Sequence, residues 1–566
     1  MTLRRRQVPD FDASLLTRFS PTMARILASR GVTDLAQATL KLDALPRGDE
    51  LPDIDVAVAR LLAAIDRGER LLVVGDFDAD GATGTAVAVR GLRLLGARHV
   101  DFAVPDRARH GYGLSVALVD ELKVRAPQVL ITVDQGTSSV DGVARARAAG
   151  IDVIVTDHHL AGEQLPAALA IVNPNVGARA PRYARLAGVG VMFYVLVALR
   201  AALNRRGQAT PPLAPLLDLV ALGTVADLVP LDQVNRILVA EGLKRIAAGR
   251  GCAGVRALIE SAGRDASRIG ARDLGFQIAP RLNAAGRLAD MHTGIRCLLS
   301  DDTDEARALA AELSALNHER RDVQREMQAS ADAIVENIVA REGQVPTALI
   351  VHDESWHPGV VGLVASRLAE RLHRPAIALA PADNGEWRGS ARSIHGFHLR
   401  DALVALDVAQ PGLMLRYGGH AMAAGLSLRP DGIEALAQGF TAVAQSLLDA
   451  ELLKRVVATD GALEGQDLCF DFAREIDACG PFGQGFPEPE FDGDFSVLEH
   501  RVLKDQHLKL RLRGRGTPTL TALWFSAPEE WLDKVPPKVR LVYQLSIETW
   551  QGEQSLALKI RHGWPA

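Results

Sequence analysis

Short apolar runs alternate with helical stretches over the first half of the chain. After Pro52 these runs are Leu71–Gly75, Val100–Val104, Val129–Val133, Ile151–Val155 and Ala170–Val172. Helix-like stretches such as Gly84–Leu95 and Ser139–Ala149 separate them. Short apolar runs spaced by helical segments are typical of βαβ units, so we expect an α/β fold with a buried parallel sheet.

One long helical period follows the sheet-like region. Residues 302–341 contain no proline, and their apolar residues lie three, four or seven positions apart: Leu309, Leu313, Leu316, Val323, Met327, Ile334 and Ile338. This spacing predicts one apolar stripe along a single helix. At about 1.5 Å per residue such a helix is about 60 Å long, enough to bridge two domains.

The remaining sequence predicts two further domains. A second α/β pattern begins at Ala348–Val351, includes Ala376–Ala380 and ends near residue 450, and the chain beyond it is strand-like and punctuated by Gly and Pro. The last pattern favours a small all-β barrel. We expect an N-terminal helical lead-in, a first α/β domain, a connecting helix, a second α/β domain and an OB-fold-like barrel, at residues 1–50, 51–300, 301–342, 343–452 and 453–566.

Composition restricts the class of protein. Of 566 residues, 48% are hydrophobic and 23% charged, with a net charge of −5, which is ordinary for a globular protein and argues against a nonspecific basic coat on DNA. The four cysteines form no CxxC pair, which favours a reducing compartment. No apolar segment follows the first charges, and the apolar run Leu186–Leu199 is too short to span a bilayer. We therefore expect a cytoplasmic protein with a buried helix at this run and no membrane contact.

Four clusters with acidic residues each follow an apolar run. They are Gly75–Gly81 (GDFDADG), Thr132–Asp134 (TVD), Thr156–His159 (TDHH) and Gly223–Asp227 (GTVAD), the last after the apolar Leu216–Leu222. The carboxyl ends of strands in a parallel sheet meet at one crevice, where ligands bind. We expect these clusters to meet there.

Each cluster also has a plainer interpretation. A single Asp after a strand is most often a helix N-cap or a turn former. The carboxylates of Asp76, Asp78 and Asp80 repel one another unless a cation is present, and a Ca²⁺ loop of the EF-hand type would need a Glu at its twelfth position, which is missing. Adjacent His158 and His159 are difficult to explain as core packing. The four clusters together favour a metal site.

The types of ligand atom in these clusters limit which metal ion the site can bind. Carboxylate and imidazole without thiolate favour Mn²⁺ or Mg²⁺. Four or more carboxylates exceed what one ion needs, whereas two ions about 3.5–4 Å apart would use them. A two-ion site suits attack by water on a phosphodiester.

The motifs resemble those of a known superfamily. GDFDADG, TVDQG, VTDHH and GTVAD are similar to the four motifs of the DHH phosphoesterases, and Gly418–His420 (GGH) resembles their associated DHHA1-type domain. Pro280–Arg287 (PRLNAAGR) and Glu354–Gly359 (ESWHPG) resemble the RecJ family in particular. The resemblance covers about residues 50 to 566 and implies a 5′→3′ exonuclease that releases mononucleotides from single-stranded DNA, in DNA repair and recombination.

The resemblance also implies which residues form the metal centre. It implies that the metal ligands are Asp78, Asp80, Asp134, His158 and Asp227. Asp134 is the expected bridge, and Asp76 an outer carboxylate that orients water. The remaining catalytic residues are Asp157, expected to hydrogen-bond a ligating histidine as such carboxylates do, and His159, expected to face the scissile phosphate. A plain N-cap is the alternative for Asp157.

Candidate DNA contacts come from three stretches. Arg281, Asn283 and Arg287 offer groups that bind phosphate, with a solvated or salt-bridged Arg as the alternative. Ser390 and Arg392, in a predicted Gly/Ser-rich turn, join Gly418, Gly419 and His420. The resemblance implies that these hold the 5′-phosphate and nearby backbone in a groove between the two α/β domains, although GGH alone indicates only a turn.

The predicted barrel adds an independent candidate surface for binding DNA. Leu508–Arg515 alternates strictly, so Lys509, Arg511 and Arg513 are expected on one outer face that follows a single strand electrostatically. The alternative is an edge strand protected by charge. Among the aromatic residues, Trp524 and Phe525 either stack on bases or belong to the core, and the same holds for Trp550.

Two other functions stay open. A DHH phosphodiesterase acting on short oligonucleotides or cyclic dinucleotides would need neither the long helix nor the barrel. A non-catalytic scaffold that binds single-stranded DNA would have no use for buried carboxylates, which cost stability. By resemblance the expected partners are single-stranded DNA, a single-strand-binding protein and a RecQ-type helicase, and the protein is expected to be a monomer.

Overall fold

The computed structural model describes residues 2–106, 109–177, 180–382, 385–550 and 552–566, without the side chain of Trp550. The chain divides into two units. The larger unit contains Arg5–Gly286, Asp290–Ser314 and Ala458–Ala566. The smaller unit contains Arg287–Ala289 and Ala315–Val457, together with the first residues of the chain.

A five-stranded parallel sheet lies in the larger unit. The first strands of the chain are β1 (Thr2–Arg5), β2 (Arg70–Val74), β3 (His99–Ala103), β4 (Val129–Val133), β5 (Asp152–Thr156) and β6 (Ala170–Val172). The sheet order is β3-β2-β4-β5-β6, and each pair is parallel. Strands β2, β4 and β5 are buried along almost their whole length. The predicted buried parallel sheet is confirmed, with each strand within one residue of its predicted run.

Helices cover this sheet and extend the unit. They are α1 (Pro21–Ala28), α2 (Ile54–Arg67), α3 (Ala79–Leu94), α4 (Val116–Leu122), α5 (Val140–Ala148), α6 (Gly188–Arg205), α7 (Leu217–Ala226), α8 (Gln233–Ala247), α9 (Ala253–Ser261), α10 (Ala271–Asp273), α11 (Ala279–Leu288) and α12 (His292–Leu299). A π-helical turn, Leu274–Ile278, joins α10 to α11. The expected helical lead-in consists of α1, two 3₁₀ turns and the strand β1.

One sequence prediction about these helices is wrong. Helix α3 begins at Ala79 and not at Gly84, because the side chain of Asp78 accepts a hydrogen bond from Gly81 N–H and caps the helix. The apolar run before Asp227 forms α7, and Asp227 is its C-cap. Since α7 is apolar on all sides and buried, its sequence carries no period that distinguishes it from a strand.

Helix α6 is the one helix of the described residues that is long and apolar enough to cross a membrane. Its mean hydropathy is 1.3 over 18 residues, and 67% of it is buried inside the protein. This burial confirms the buried helix predicted at Leu186–Leu199.

The predicted long helix is confirmed as α13 (Thr303–Glu342), with 40 residues. Its residues up to Ser314 belong to the larger unit and the rest to the smaller unit. In the smaller unit Met327, Ala331 and Val335 join an apolar cluster.

The smaller unit contains the second α/β domain. Its strands are β7 (Leu349–His352), β8 (Ala376–Pro381), β9 (Trp387–Arg392), β10 (Met414–Gly419) and β11 (Ala423–Leu428), and its helices are α14 (Val361–Leu372), α15 (Leu399–Ala409) and α16 (Ile433–Leu447). The order is β10-β11-β9-β8-β7, with only β7 and β8 parallel. The stretch RGSARS therefore belongs mainly to strand β9, and its prediction as a turn is wrong.

The last part of the chain forms the predicted barrel. After β12 (Val456–Thr459), which pairs with β1, the elements are α17 (Phe470–Ala478), β13 (Phe491–Leu503), β14 (His507–Gly514), β15 (Thr519–Trp524), α18 (Glu529–Asp533), β16 (Lys538–Trp550) and β17 (Glu553–Pro565). The five strands β13 to β17 close in the order β13-β14-β15-β17-β16. Strand β14 is paired on both sides, so the alternative of a charge-protected edge strand is wrong.

Candidate metal centre

Carboxylates and imidazoles converge at the carboxyl edge of the first sheet. The loops after β2, β4 and β5 and the C-terminus of α7 bring their ligand atoms within 4.8 Å of one another in three groups: Asp76, Asp78 and Asp134; Asp80, His158 and Asp227; and Asp134, His158 and His159. Every residue that the sequence assigned to metal lies in one of these groups. Strand ends that are distant in sequence therefore meet, as the parallel topology requires.

Helix termini hold the first two carboxylates. Asp78 Oδ1 accepts the N–H of Gly81 at 2.9 Å. Asp80 is buried, and its two oxygens accept the N–H groups of Gly188 at 2.6 Å and Val189 at 2.9 Å. Since Gly188 begins α6, the N–H groups and the dipole of that helix terminus stabilise the carboxylate.

Asp134 occupies the middle of the centre. Its backbone has a φ of 62°, a left-handed conformation that few non-glycine residues adopt and that is commoner for Asp than for most. Its Oδ1 lies 3.1 Å from His158 Nε2, which lies 3.6 Å from Asp227 Oδ2. Asp134 Oδ1 is buried and accepts no hydrogen bond from the described residues, as expected for an atom that binds a cation.

Asp157 fixes one histidine and not the other. Its Oδ1 accepts the N–H groups of His158 and His159 and lies 2.8 Å from His159 Nδ1, while its Oδ2 accepts the N–H of Thr137. The expected carboxylate–histidine hydrogen bond is made to His159, whereas the histidine predicted as a metal ligand is His158. The N-cap alternative for Asp157 is wrong, because no helix begins there.

The electrostatics of the centre call for a cation. Burial, followed by the charge of Asp78, raises the pKa of Asp80 to about 7. Burial and the charge of Asp80 raise the pKa values of Asp134 and Asp227 well above the ordinary value. Carboxylates this close repel one another in the absence of positive charge. The oxygen-rich donor set with imidazole fits Mn²⁺ or Mg²⁺.

The pKa shifts of Asp157 and His159, unlike those of Asp80, Asp134 and Asp227, favour the charged form of both side chains. Burial acts to raise the pKa of Asp157, but the hydrogen bond from His159 and the nearby histidines lower it overall. Burial likewise acts to lower the pKa of His159, and its hydrogen bond to Asp157 raises it overall. Asp157 is thus held ionised, and it favours the protonated form of His159.

Sequence reasoning missed Tyr112 and Asn173. The Tyr112 hydroxyl lies 3.2 Å from His159 Nδ1, and the Asn173 amide donates to the backbone oxygen of His159 at 2.9 Å. Asn173 follows β6 directly, so the strand-end rule that found the other clusters would have found it. Tyr112 lies in an irregular segment between β3 and α4, and no pattern in the sequence indicates it.

Helix α11 carries the first set of predicted DNA contacts. Arg281 is 5% exposed, and its guanidinium donates to Ser314 Oγ and to the backbone oxygens of Gln277 and Ser261, which favours a structural role over phosphate contact. Asn283 Oδ1 accepts the N–H of Ala79 at 2.8 Å, at the start of α3. Asn283 therefore supports the loop that carries Asp78.

The smaller unit contains the second set of predicted DNA contacts. Ser390 and Arg392 lie at alternate positions of β9 and are half-buried. Gly418 on β10 pairs with Gly425 on β11, which pairs with Ser390. A Cβ added to Gly418 would meet no heavy atom within 4 Å among the described residues, so a flat, open row of small residues crosses this sheet. Gly419 ends β10, and His420 next to it is exposed.

The smaller unit also contains Arg287, whose Nη1 donates to Gly359 O at 3.1 Å. This contact ties the end of α11 to the ESWHPG loop. The roles of Arg287, of the β9 residues and of the GGH residues in binding DNA stay predictions.

The outer face of β14 has the predicted alternation. Its leucines are fully buried, and Lys509, Arg511 and Arg513 are exposed. Arg511 forms an ion pair with Glu499 at 2.7 Å, which reduces the free positive charge of this face. Trp524 is buried in the barrel core and Phe525 is 57% exposed, whereas the side chain of Trp550 lies outside the described residues.

Three known families match successive parts of the chain. Residues 70–224 match the DHH family, N-terminal domain. Residues 343–446 match the DHHA1 domain, and residues 459–562 match the RecJ OB domain. The three matches correspond to the parallel sheet, the second α/β domain and the closed barrel.

Known proteins resemble the chain over its whole length. The single-stranded-DNA-specific exonuclease RecJ of Escherichia coli is 46% identical over 571 residues, covering 100% of this chain and 99% of that one. A crystal structure of RecJ with Mn²⁺ from Thermus thermophilus has a TM-score of 0.83 and 32% identity, covering 100% of this chain and 80% of that chain. The corresponding structure with Mg²⁺ has a TM-score of 0.75 and 31% identity, covering 99% and 78%.

Identity of this extent, together with the three domain matches in order, decides the family. The chain belongs to the RecJ family of the DHH superfamily.

Proposed function

We propose that this protein hydrolyses single-stranded DNA from its 5′ end to mononucleotides, with two bound Mn²⁺ or Mg²⁺ ions, in DNA repair and recombination. The observation that carries the proposal is the cluster of carboxylates and imidazoles at the carboxyl edge of the first sheet. The cluster lies in a chain that matches single-stranded-DNA-specific exonucleases from end to end. No structural role explains so many buried acids, because uncompensated buried charge is costly.

The residues divide between two ion positions. Asp134 belongs to two of the three groups, one with Asp76 and Asp78 and the other with His158 and His159, which suits a bridging ligand. Asp76 and Asp78 form one group with Asp134, while His158, which lies 3.1 Å from Asp134, forms another group with Asp80 and Asp227. When bound, the ions would lower the pKa of an attacking water and offset charge that develops on the phosphate.

His159 is the group that we assign to the scissile phosphate. Asp157 holds its Nδ1 at 2.8 Å and favours its protonated form, so the imidazolium donates a hydrogen bond to a phosphate oxygen. A positioned cation that acts where charge develops is worth more in a buried site than in water. Asp157 itself has no contact to make with DNA, because backbone N–H groups and His159 use its oxygens.

Binding of the strand would use both units. In the smaller unit we assign the 5′-phosphate to Arg392, Ser390 and the GGH residues, because guanidinium and exposed backbone N–H groups both suit an anion. In the larger unit we assign the trailing strand to Lys509 and Arg513 on the outer face of β14. Arg511 contributes less, because Glu499 neutralises it.

The substrate also indicates the cellular setting. Single-stranded DNA arises when a duplex is opened, and it is then covered by binding proteins. We propose a RecQ-type helicase and a single-strand-binding protein as partners, cytoplasmic localisation and a monomeric enzyme. The four free thiols fit a reducing compartment.

Comparison of substrates tests the proposal. Long single strands labelled at the 5′ or at the 3′ end, and a dinucleotide, would be incubated with the protein and Mn²⁺. The proposal predicts immediate release of the 5′ label as a mononucleotide while the 3′ label stays on shortening strands, and slow cleavage of the dinucleotide. Faster turnover of the dinucleotide than of the long strand would indicate a short-substrate phosphodiesterase instead.

A further inference from the structure

Tyr112 touches three of the loops that carry the metal centre. Its ring packs edge-on against Phe77 in the loop after β2, with the ring centroids 6.4 Å apart. Its hydroxyl lies 3.4 Å from the backbone oxygen of Asp134, after β4. It also lies 3.2 Å from Nδ1 and 3.4 Å from Nε2 of His159, after β5.

The backbone holds Tyr112 in this place. Gly113, with a φ of 82°, adopts a left-handed conformation that suits glycine. The next residue, Leu114, donates its N–H to Ser139 Oγ at 2.9 Å, and Leu114 is buried. Tyr112 itself is 52% exposed, so it is an anchored aromatic residue at the surface of the centre and not part of the core.

Two different segments of the chain contact the side chain of His159. The side-chain Oδ1 of Asp157, in the same loop, lies 2.8 Å from the ring Nδ1. Tyr112 comes from the segment before α4 and packs its ring edge-on, with a centroid distance of 5.8 Å and an angle of 75°. Asp157 and Tyr112 thus contact the same imidazole from different elements, and two such contacts restrict the orientation of a ring more than one does.

We propose that Tyr112 is a positioning residue that holds the imidazole of His159 in line with the scissile phosphate. This inference rests on the proposed nuclease function. Tyr112 acts through its hydroxyl on His159, and its ring keeps the loops of Phe77 and Asp134 in register. Loss of the hydroxyl alone therefore slows the chemical step without weakening the binding of DNA or of Mn²⁺.

A double-mutant cycle tests the inference, because two residues that act through one another are not additive. The cycle uses Tyr112→Phe, His159→Ala and the double variant, with kcat and KM on a single strand and Mn²⁺ affinity measured by titration. Tyr183→Phe is the matched control, because it removes a buried hydroxyl that accepts the N–H of Gly48.

The expected result is a loss of about tenfold in kcat for Tyr112→Phe in the wild-type background, which corresponds to a coupling of about 1.4 kcal/mol. KM and Mn²⁺ affinity stay unchanged, and Tyr112→Phe has less than a twofold effect when His159 is Ala. Tyr183→Phe leaves kcat unchanged.

Three results would overturn the inference. They are an unchanged kcat in Tyr112→Phe, an equal loss in both backgrounds, or a rise in KM alone, which would make Tyr112 a DNA contact. A wild-type protein that binds Mn²⁺ but cleaves no single strand would instead overturn the proposed function, so the two failures are distinguishable.

Discussion

Gly188 allows helix α6 to approach the metal centre, and replacing it with Ala tests that geometry. A Cβ at Gly188 would lie 2.5 Å from Asp134 Cβ and 2.7 Å from Asp134 Oδ1. The N–H of Gly188 also donates to Asp80 at 2.6 Å. One added methyl group therefore acts on two proposed ligands without removing either.

The magnitude follows from these distances. Carbon atoms in contact lie about 3.5–4.0 Å apart, so the new methyl group is about 1 Å too close to Asp134. Either Asp134 moves or α6 retreats from Asp80, and overpacking of this kind costs about 1–3 kcal/mol of stability. A displacement of about 1 Å in a catalytic group lowers the rate on the order of 100-fold.

The assay compares three proteins by urea unfolding, Mn²⁺ titration and cleavage of single-stranded DNA. Gly190→Ala is the matched control, because the nearest atoms to its Cβ belong to the side chain of Leu186, with Cδ2 at 3.1 Å. We expect Gly188→Ala to stay folded while it loses Mn²⁺ affinity and most of its activity. A Gly188→Ala protein with wild-type affinity and rate would refute the geometry described for α6 and Asp134.

Three further predictions concern support of the loop, the need for a cation and the packing of the N-terminal segment. Asn283→Leu removes the acceptor for Ala79 N–H and should weaken Mn²⁺ binding, whereas Asn283→Asp keeps the acceptor and should retain more affinity; equal affinities in a titration would contradict this. Because the pKa of Asp80 is raised to about 7, its contribution to the stability of the metal-free protein is present at low pH and is lost as pH rises through that value. EDTA should therefore lower the melting temperature more at pH 8 than at pH 5. An equal decrease at both pH values would contradict the claim that the ionised carboxylates repel one another in the metal-free protein. Asp460→Ala removes the carboxylate partner of the buried guanidinium of Arg30, since both side chains are 1% exposed, and should cost about 3–5 kcal/mol in urea unfolding. A loss below about 1 kcal/mol would show that the hydrogen bonds of Arg30 to Ile26, Ser29 and Pro487 suffice.

The parallel sheet and the metal ligands could be predicted from the sequence because their signals are local. Each strand is a short apolar run, and each ligand follows its strand or helix directly. The rule that strand ends share one edge then brings Asp134 and His158 together without knowledge of the fold. The alternation of β14 is local as well, and it correctly predicts which side chains face the core.

The sequence is less informative where periodicity is lost or a non-local contact decides the position. Helix α7 and the strands of the first sheet are all buried apolar runs, so their periodicity does not distinguish a helix from a strand. The DNA-contact roles of Arg281 and Asn283 stay predictions, and the structure adds partners that are distant along the chain, Ser314 and Ala79. The position of Tyr112 beside His159 likewise depends on how the segment before α4 folds back.

The central claim is that the carboxylate and imidazole cluster makes this protein a metal-dependent nuclease for single strands. The most direct measurement compares wild type, Asp134→Ala and Asp141→Ala on single-stranded and blunt duplex DNA, with and without Mn²⁺. Asp141 is an exposed carboxylate of the same unit and serves as the matched control. The account predicts that wild type and Asp141→Ala degrade only the single strand and only with Mn²⁺, and that Asp134→Ala is inactive. Degradation by Asp134→Ala at the wild-type rate, or without a divalent ion, would contradict it.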